Sequence, residues 1–531
     1  MAAWTVSKIL HRETAANAKR GEMKPYIDRA MQYAMPWRVQ HGRKTAFEQL
    51  FDSSGPTGVH KFGSRLQRDL TPPFARWFKL EGGPLIPEDK IEAVNRDLEL
   101  ATAVCHAALD ASSFANASGQ AYADLSIGTA GLLAVEGDDE ELIRWTAVPP
   151  WGLSIEEGAS GRIDNVYWRR KYPVEQLAEL WPKAVWPEAI QRKVAEGKND
   201  EVEILQASYW DLIDRVFRFA VICVEVGSGG NQGTVALEQI NRTNPWIIFR
   251  WWTTPGNPWG MGPLLLTLPD VMTANKAVEM ILKAAAYALA PPLMVAHDGV
   301  VNPDALRVAP HALIRVARTG GPMGSSIQPL DMNGRVDLTQ LALQDMRQNI
   351  AQNLMARQLP PESAAVRSPT EIVERMREFQ FDTGSAFGRL NHEYIPAVIA
   401  RVLDILDKKK VPGIDFRQLK VDQLILRVRV TSPLAQQQNL EDVERYVRFV
   451  ELVKAIGGPE LMAAVVNVEE MHRLGPMLGA PGWASRTRED REKMLQTMGE
   501  AAAEGSEGGL PVPAGASYVG GEPAIGLVKP S

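Results

Sequence analysis

An α+β fold, mainly helical, is what the sequence predicts, on three observations. Residues 270–290 form an alanine-rich run without Gly or Pro, with Glu279 and Lys283 in the favourable i,i+4 order. Between residues 121 and 252, short β-rich runs follow one another with turn residues between them. The 531 residues are 45% hydrophobic and 23% charged, an ordinary globular balance in a chain long enough for about three or four domains. The same figures exclude a wholly disordered chain, a collagen and a coiled-coil fibre.

The first hundred residues read as loosely joined helices, with Thr71, Pro72 and Pro73 closing one unit ahead of an aromatic run at 74–78. From Ala121 the pattern turns to strands: GLLAVEG, LIRWTAVPP, GLSIEE and RIDNVYWRRKY, with GASG at 158–161 as a hairpin loop. A helical interlude, VEQLAELWPKAV, begins near Val174, after which VFRFAVICVEV and WIIFRWW restore the strands. Residues 121–252 are expected to form a mixed domain with a small barrel or sandwich.

Pro269 is expected to open the long helix, whose 21 residues at 270–290 make a rod of roughly 31 Å, and Pro291 and Pro292 to stop it. Short β-like runs follow (PLMVA, ALIRVA, SIQPL), and 337–355 is helical again. Ser368, Pro369, Thr370 and Glu371 combine a capping box with Pro at the first helical position. From there an apolar stripe runs through Ile372, Met376, Phe379, Phe387, Leu390, Tyr394, Val398 and Val402, with a kink or break expected at Gly384, Pro396 or both. A LILRVRV strand after Lys408–Lys410, helices from Leu440 and a flexible tail beyond about residue 502 complete the chain.

Lys and Arg total 58 against 64 Asp and Glu, a net charge of −6, which argues against tight non-specific nucleic-acid binding over the whole surface and leaves room for a local basic patch. Cys105 and Cys223 are far apart and form no CxxC, so neither a zinc site nor a disulfide framework is expected, and a reducing compartment suits the chain. Residues 251–269 are uncharged but broken by Pro255, Pro258, Pro263, Pro269 and several glycines, and 284–296 is short and cut by Pro291 and Pro292, so neither run fits a membrane span of about 20 apolar residues. The opening MAAWTVSKILHRETAANAKR lacks the apolar core of a secretory signal. A soluble chain beginning where it is written is the expectation.

Enzyme signatures are weak. GSGGNQG at 227–233 lies between strands and lacks the Lys that reaches phosphates. No second His follows His392-Glu393 at metalloprotease spacing, and the pair reads as helix surface. Asp382-Thr383-Gly384-Ser385 spells the aspartic-protease tetrad, but its flanks are helical and a second copy is absent, so a dyad would need a homodimer. The sequons at Asn116 and Asn241 carry no meaning without a secretory signal. No catalytic, metal or cofactor-binding residue is singled out, and no cofactor is expected. Four cations near the long helices remain: Lys283, Arg347, Arg357 and Arg367. Each reads either as solvated surface or an intersubunit ion pair, or as a contact to a passing phosphate backbone.

Several strings then occur in a telling order: FDSSGPTGVHKFGSRLQRDLTPPFARWFKL at 51–80, IGTAGLLAVEG, VPPWGLSIEEGASGRIDNVYWRRKYPVEQLAELWP, NPWGMGPLLLTLPDVMTANKAVEMILKAAAYALAPPLMVAHDGVVNP at 257–303, SPTEIVERMREFQ and GRLNHEYIPAVIARVLDIL. Each alone is weak. Together they resemble the head-to-tail connecting, or portal, protein family of short-tailed bacteriophages. Two departures stand out: Trp259-Gly260-Met261-Gly262-Pro263 replaces a Tyr-Gly-Arg-Gly-Pro type sequence and so lacks a positive charge, and Pro369 stands where the family tends to carry Ala.

The resemblance implies a portal-type fold. Residues 1–262 would be the wing, with its β-rich part at about 121–252; 263–290 and 337–355 the stem helices; and 291–336 an α/β clip. Residues 356–368 would be the tunnel loop, 369–410 a long kinked helix, 411–501 a helical crown and 502–531 the tail. It further implies a ring, usually of twelve copies, at one capsid vertex, conducting double-stranded DNA during packaging and ejection. The implied partners are the terminase, tail adaptor proteins, and capsid and scaffold proteins, with assembly in the bacterial cytoplasm and residence in the virion. No enzyme activity is implied. A nucleic-acid-processing packaging enzyme, or another virion protein such as a tail adaptor, is the competing expectation.

Overall fold

Helices and antiparallel sheets alternate along the chain, each placed where its residue periodicity allows. The computed structural model describes residues 4–39, 48–73, 75–138, 141–195, 200–227, 230–289, 293–295, 327–329, 336–355, 386–410, 426–431, 446–453 and 455. The chain divides into units 1–435 and 436–531, and the described part of the second is helical over 446–453. The capping box at 368–371, the tetrad at 382–385 and the tail lie outside the described residues.

The first unit opens with helices α1 (Val6–Ala34) and α2 (Ser54–Leu70), strand β1 (Phe78–Gly82), and helices α3 (Glu88–Asp110) and α4 (Phe114–Leu125). Two antiparallel sheets follow. One has three strands in the order β3 (Ile143–Val148), β2 (Thr129–Glu136), β9 (Trp246–Arg250). The other has five in sequence order: β4 (Leu153–Glu157), β5 (Ile163–Pro173), β6 (Glu201–Asp211), β7 (Val216–Gly227) and β8 (Gly230–Asn241). The 158–161 loop is a hairpin as expected, with Gly161 at φ +77°. Helices α5 (Leu177–Leu180) and α6 (Glu188–Ala195) fill the β5–β6 connection.

Alternation along the strands decides how the sheets stack. Leu133, Val148, Trp246 and Ile248 on one sheet share a core with Val166, Trp168, Ile204 and Phe219 on the other. Trp168 and Trp246 meet edge to face, with centroids 5.8 Å apart. The arrangement is a sandwich, the second of the two forms expected. The outer face of the five-stranded sheet, with Tyr167, Leu205, Tyr209 and Ile222, lies under Ile9, Leu10 and Ala16 of α1. The outer face of the three-stranded sheet joins a larger core with α2, α3 and α4.

Strand β10 (Leu426–Val430) is where LILRVRV predicted it, and it pairs along its whole length with β1 from the far end of the sequence. The other edge of β1 is closed by α3: Leu80 N–H donates to Thr102 Oγ1 (3.0 Å), Gly82 N–H to Asn95 Oδ1 (2.8 Å), and His106 Nε2 donates to the Phe78 carbonyl (3.1 Å). Burial pushes the His106 pKa down, which keeps the imidazole neutral in this core.

Two readings need correction. The long helix α7 spans Pro263–Leu289, so Pro269 lies inside it and does not open it. Pro269 faces solvent, where water can satisfy the carbonyl that loses its N–H partner, so the helix continues. The apolar stripe is broken as expected, into α9 (386–393) and α10 (Ile395–Lys408), which part at Tyr394 just before Pro396. The second correction is Glu393, which is not surface: it accepts from Arg250 Nη2 at 2.9 Å, and that arginine is only 2% exposed. His392 does lie at the surface, against Arg162 at 3.3 Å.

A second buried arginine fixes α10. Arg401 is 2% exposed and donates to the Ala134 carbonyl (3.0 Å), Asn241 Oδ1 (3.2 Å) and Asp404 (3.0 Å), while Thr243 Oγ1 donates to Asp404 at 2.9 Å. The sequon residue Asn241 is thereby committed to the interior. Removing one partner strands a buried charge, at a cost of about 3–5 kcal/mol. Chemical unfolding of Asp404→Ala should therefore show a loss of that size, and the double replacement Arg401→Met/Asp404→Leu a smaller one.

Candidate functional site

The candidate site is the pair formed by α7 and α8 (Val336–Asn353), which pack on each other. Its root is built from glycines. Gly128 has φ +138°, and a Cβ there would lie 2.3 Å from the Gly260 carbonyl oxygen; a Cβ on Gly262 would lie 2.1 Å from the Ser126 oxygen. Backbone therefore meets backbone: Gly262 N–H donates to Ile127 O (2.8 Å) and Leu264 N–H to Ser126 O (2.9 Å). These bonds take up free N–H groups at the start of α7, and Pro263 needs none. The 259–263 turn is thus spent on holding the helix. Met261, standing where a cation was expected, is 41% exposed and pairs in a short ladder with Trp252.

Helix α2 supplies the bed for both rods. Its Gly55 lets Val271 of α7 approach, where an added Cβ would meet Val271 Cγ1 at 2.8 Å. Gly58 does the same for Leu354 beyond α8, at 2.5 Å from Leu354 Cδ1. Arg65 of α2 donates to the Met355 carbonyl at 3.1 Å, and Met355 itself adopts φ +53° just past the end of α8. Leu264, Leu268, Val271 and Ala274 from α7 share the core with Leu343, Ile350 and Leu354.

One carboxylate joins three helices. Asp52 precedes α2 and is 4% exposed; its side chain accepts from the N–H of Ser54 at 2.8 Å and from its hydroxyl. From α8, Arg347 donates to the same group through Nη2 (2.6 Å) and Nε (2.9 Å). From α7, Asn275 Oδ1 accepts from the N–H groups of Phe51 (2.7 Å) and Asp52 (3.0 Å), and its Nδ2 donates to Gln49 O (3.0 Å). Burial alone would raise the Asp52 pKa, but the bonds from Ser54 and Arg347 outweigh it and hold the carboxyl below its ordinary value.

Beyond this root α7 leaves the core. Residues 282–287 are all exposed, and Met280, Leu282 and Tyr287 are each more than half exposed. Glu279 sits between Lys276 (2.9 Å) and Lys283 (2.6 Å) on the same helix. Their hydrogen bonds hold its pKa below the usual carboxylate range and raise that of Lys283.

The four cations expected near DNA thus separate. Lys283 is exposed and paired to Glu279, whereas Arg347 is turned into the Asp52 joint. Arg357 and Arg367 lie outside the described residues. The Asp52 joint was missed in the sequence; the signal was its place as the residue ahead of Ser-Ser-Gly-Pro at a helix start. Among the described residues no group of three or more His, Cys, Asp or Glu is placed to hold a metal, and no helix is long and apolar enough to cross a membrane. Cys105 and Cys223 are both buried, and neither is in a disulfide.

The joint has a pH sign. A carboxyl with a lowered folded pKa stabilises fully above its unfolded value, about 3.9, and this contribution is lost as pH falls through the lower folded value. Melting of the wild type should therefore drop more steeply below about pH 4 than that of Asp52→Asn, which starts less stable at neutral pH.

No match is found among curated proteins. Among solved structures the chain is similar to one in the virion of a native gene transfer agent particle, at 10% identity and TM-score 0.32, covering 85% of this chain and 92% of that one. It is also similar to one in the neck of an empty gene transfer agent particle, at 11% identity and TM-score 0.33, covering 83% and 95%. Both superpositions are loose. The sequence match is not: the model of the bacteriophage head to tail connecting protein matches residues 6–483. By that match, over most of its length, the chain belongs to the bacteriophage head to tail connecting protein family.

Proposed function

We infer that this connector assembles as a closed ring in the virion, with α7 and α8 as its stem, and that double-stranded DNA passes through the bore during packaging and ejection. The observation that carries the reading is a rod locked at its root with large apolar side chains in water. Met280, Leu282 and Tyr287 are 58%, 54% and 52% exposed. A monomer gains nothing from such a row, whereas a ring buries it through heterologous contacts between unlike faces of neighbouring copies.

The charge pattern supports conduction over gripping. A net charge of −6, with Lys276 and Lys283 both tied to Glu279, offers few free cations for counterion release. Lys283 remains the candidate for steering DNA, while Arg347 serves assembly by holding α8 to α2. The segment joining the stem helices, 291–336, would dock the terminase and later the tail adaptors. Twelve copies and a capsid vertex complete the proposal, and it contains no catalytic step.

Mass measurement and negative-stain imaging of the purified chain test this. Rings with a central hole are the expected outcome; a stable monomer at micromolar concentration, missing from finished particles, would reject it. Leu282→Arg should leave the melting temperature of the subunit nearly unchanged and reduce ring yield by about tenfold or more, because an unpaired charge then has to be buried between copies.

A further inference from the structure

Helix α8 carries an uncharged ladder. Gln340, Gln344, Gln348 and Gln352 follow one another at steps of four, all exposed, and none makes a side-chain hydrogen bond among the described residues. At 1.5 Å per residue the ladder is about 18 Å long. It lies away from the stripe of Leu343, Ile350 and Leu354 that binds α8 to the core. Leu341 and Asp345 share the surface with it, and both are exposed. The one cation of the helix's described surface that could have joined them, Arg347, is drawn to Asp52.

We propose that this amide ladder lines the bore and is the track along which the phosphate backbone of the duplex slides. The inference rests on the ring reading above. Within a ring the two rods divide the work by chemistry: the apolar surface of α7 suits a neighbouring copy, and the carboxamides of α8 suit a wet, polar lumen. A carboxamide N–H can donate to a phosphate oxygen, yet this replaces a bond to water and releases no counterion. Contact is therefore readily exchanged. Spacing acts in the same direction. The rungs are about 6 Å apart along the helix, whereas phosphates on one strand recur every ~3.4 Å along the duplex axis. For a helix running along the bore, no single position of the DNA seats every rung, so translation meets no deep minimum.

The test uses full-length rings, a short linear duplex that can thread and a covalently closed circle that cannot. Wild-type rings should bind the linear duplex weakly, with little change on adding salt. Gln344→Lys should tighten binding of the linear duplex and leave the circle unchanged. Each lysine that reaches a phosphate steepens the salt dependence by about 0.9 in log–log slope, roughly a 3.5-fold loss between 50 and 200 mM. Gln344→Ala and Gln348→Ala report assembly. Rings of Gln344→Lys with unchanged linear binding, or with an equal gain for the circle, overturn the proposal. Failure of either the lysine or the alanine variants to form rings also overturns it, since the ladder would then be a contact between copies. A wild-type chain that forms no rings is a different result: it removes the ring reading itself and this inference with it.

Discussion

A rod that leaves its own core can be held only at its root, and in this connector the root is a buried carboxylate. Asp52 is almost fully withdrawn from water, so it is stable as an anion only while Ser54 and Arg347 remain bonded to it. Each of those partners is on a different helix, and Asn275 brings in a third through the backbone just before α2. Disturbing any one of the three helices exposes or strands the same charge. Two helices touching only by apolar side chains could slide on each other; tied to a common anion, they have one favoured position.

Close backbone contact does the rest. Gly128, Gly260 and Gly262 bring the start of α7 against the end of α4 at distances no side chain permits, and Gly55 and Gly58 let both rods sink onto α2. Such contacts are short and numerous, and they resist bending because nothing at the joint is long enough to repack. The pattern repeats where Arg250 and Arg401 bind α9 and α10 to the sheets: a cation is taken inside and used as a rivet, with carbonyls and carboxylates completing its shell. Arginines counted as surface charge from composition are thereby removed from the surface.

This explains which features the sequence revealed. Strands with period-two alternation, such as VFRFAVICVEV, and the helix-breaking effect near Pro396 are local, and they stand where their residues put them. From periodicity the start of α7 was misjudged because Pro269 reads as a first-turn proline, whereas the true start is held by hydrogen bonds from Gly262 and Leu264 to residues more than a hundred positions earlier. The partnership of β1 with β10 was invisible for the same reason, since nothing in five residues of either strand names the other. Among the candidate contacts, the fate of Arg347 depended on Asp52, 295 positions away, and no periodicity connects the two. Lys283 was the reverse case: its partner Glu279 is one turn away on the same helix, and the pair was legible.

The distribution of charge follows from these commitments and bears on what a conduit needs. A channel wall with many free cations would hold DNA, because each neutralised phosphate adds affinity by releasing a counterion. A wall with many free anions would keep it away from close contact altogether. On the described rods most charges are already paired within the subunit, Arg347 with Asp52 and two lysines with Glu279, and amides and apolar groups occupy much of the remaining surface. At the root Arg347 is committed to Asp52, and on the projecting part of α7 Lys276 and Lys283 are committed to Glu279. On the proposed conduit reading, mechanical fixity at the root and weak handling of a polyanion both draw on the internal use of the rods' cations.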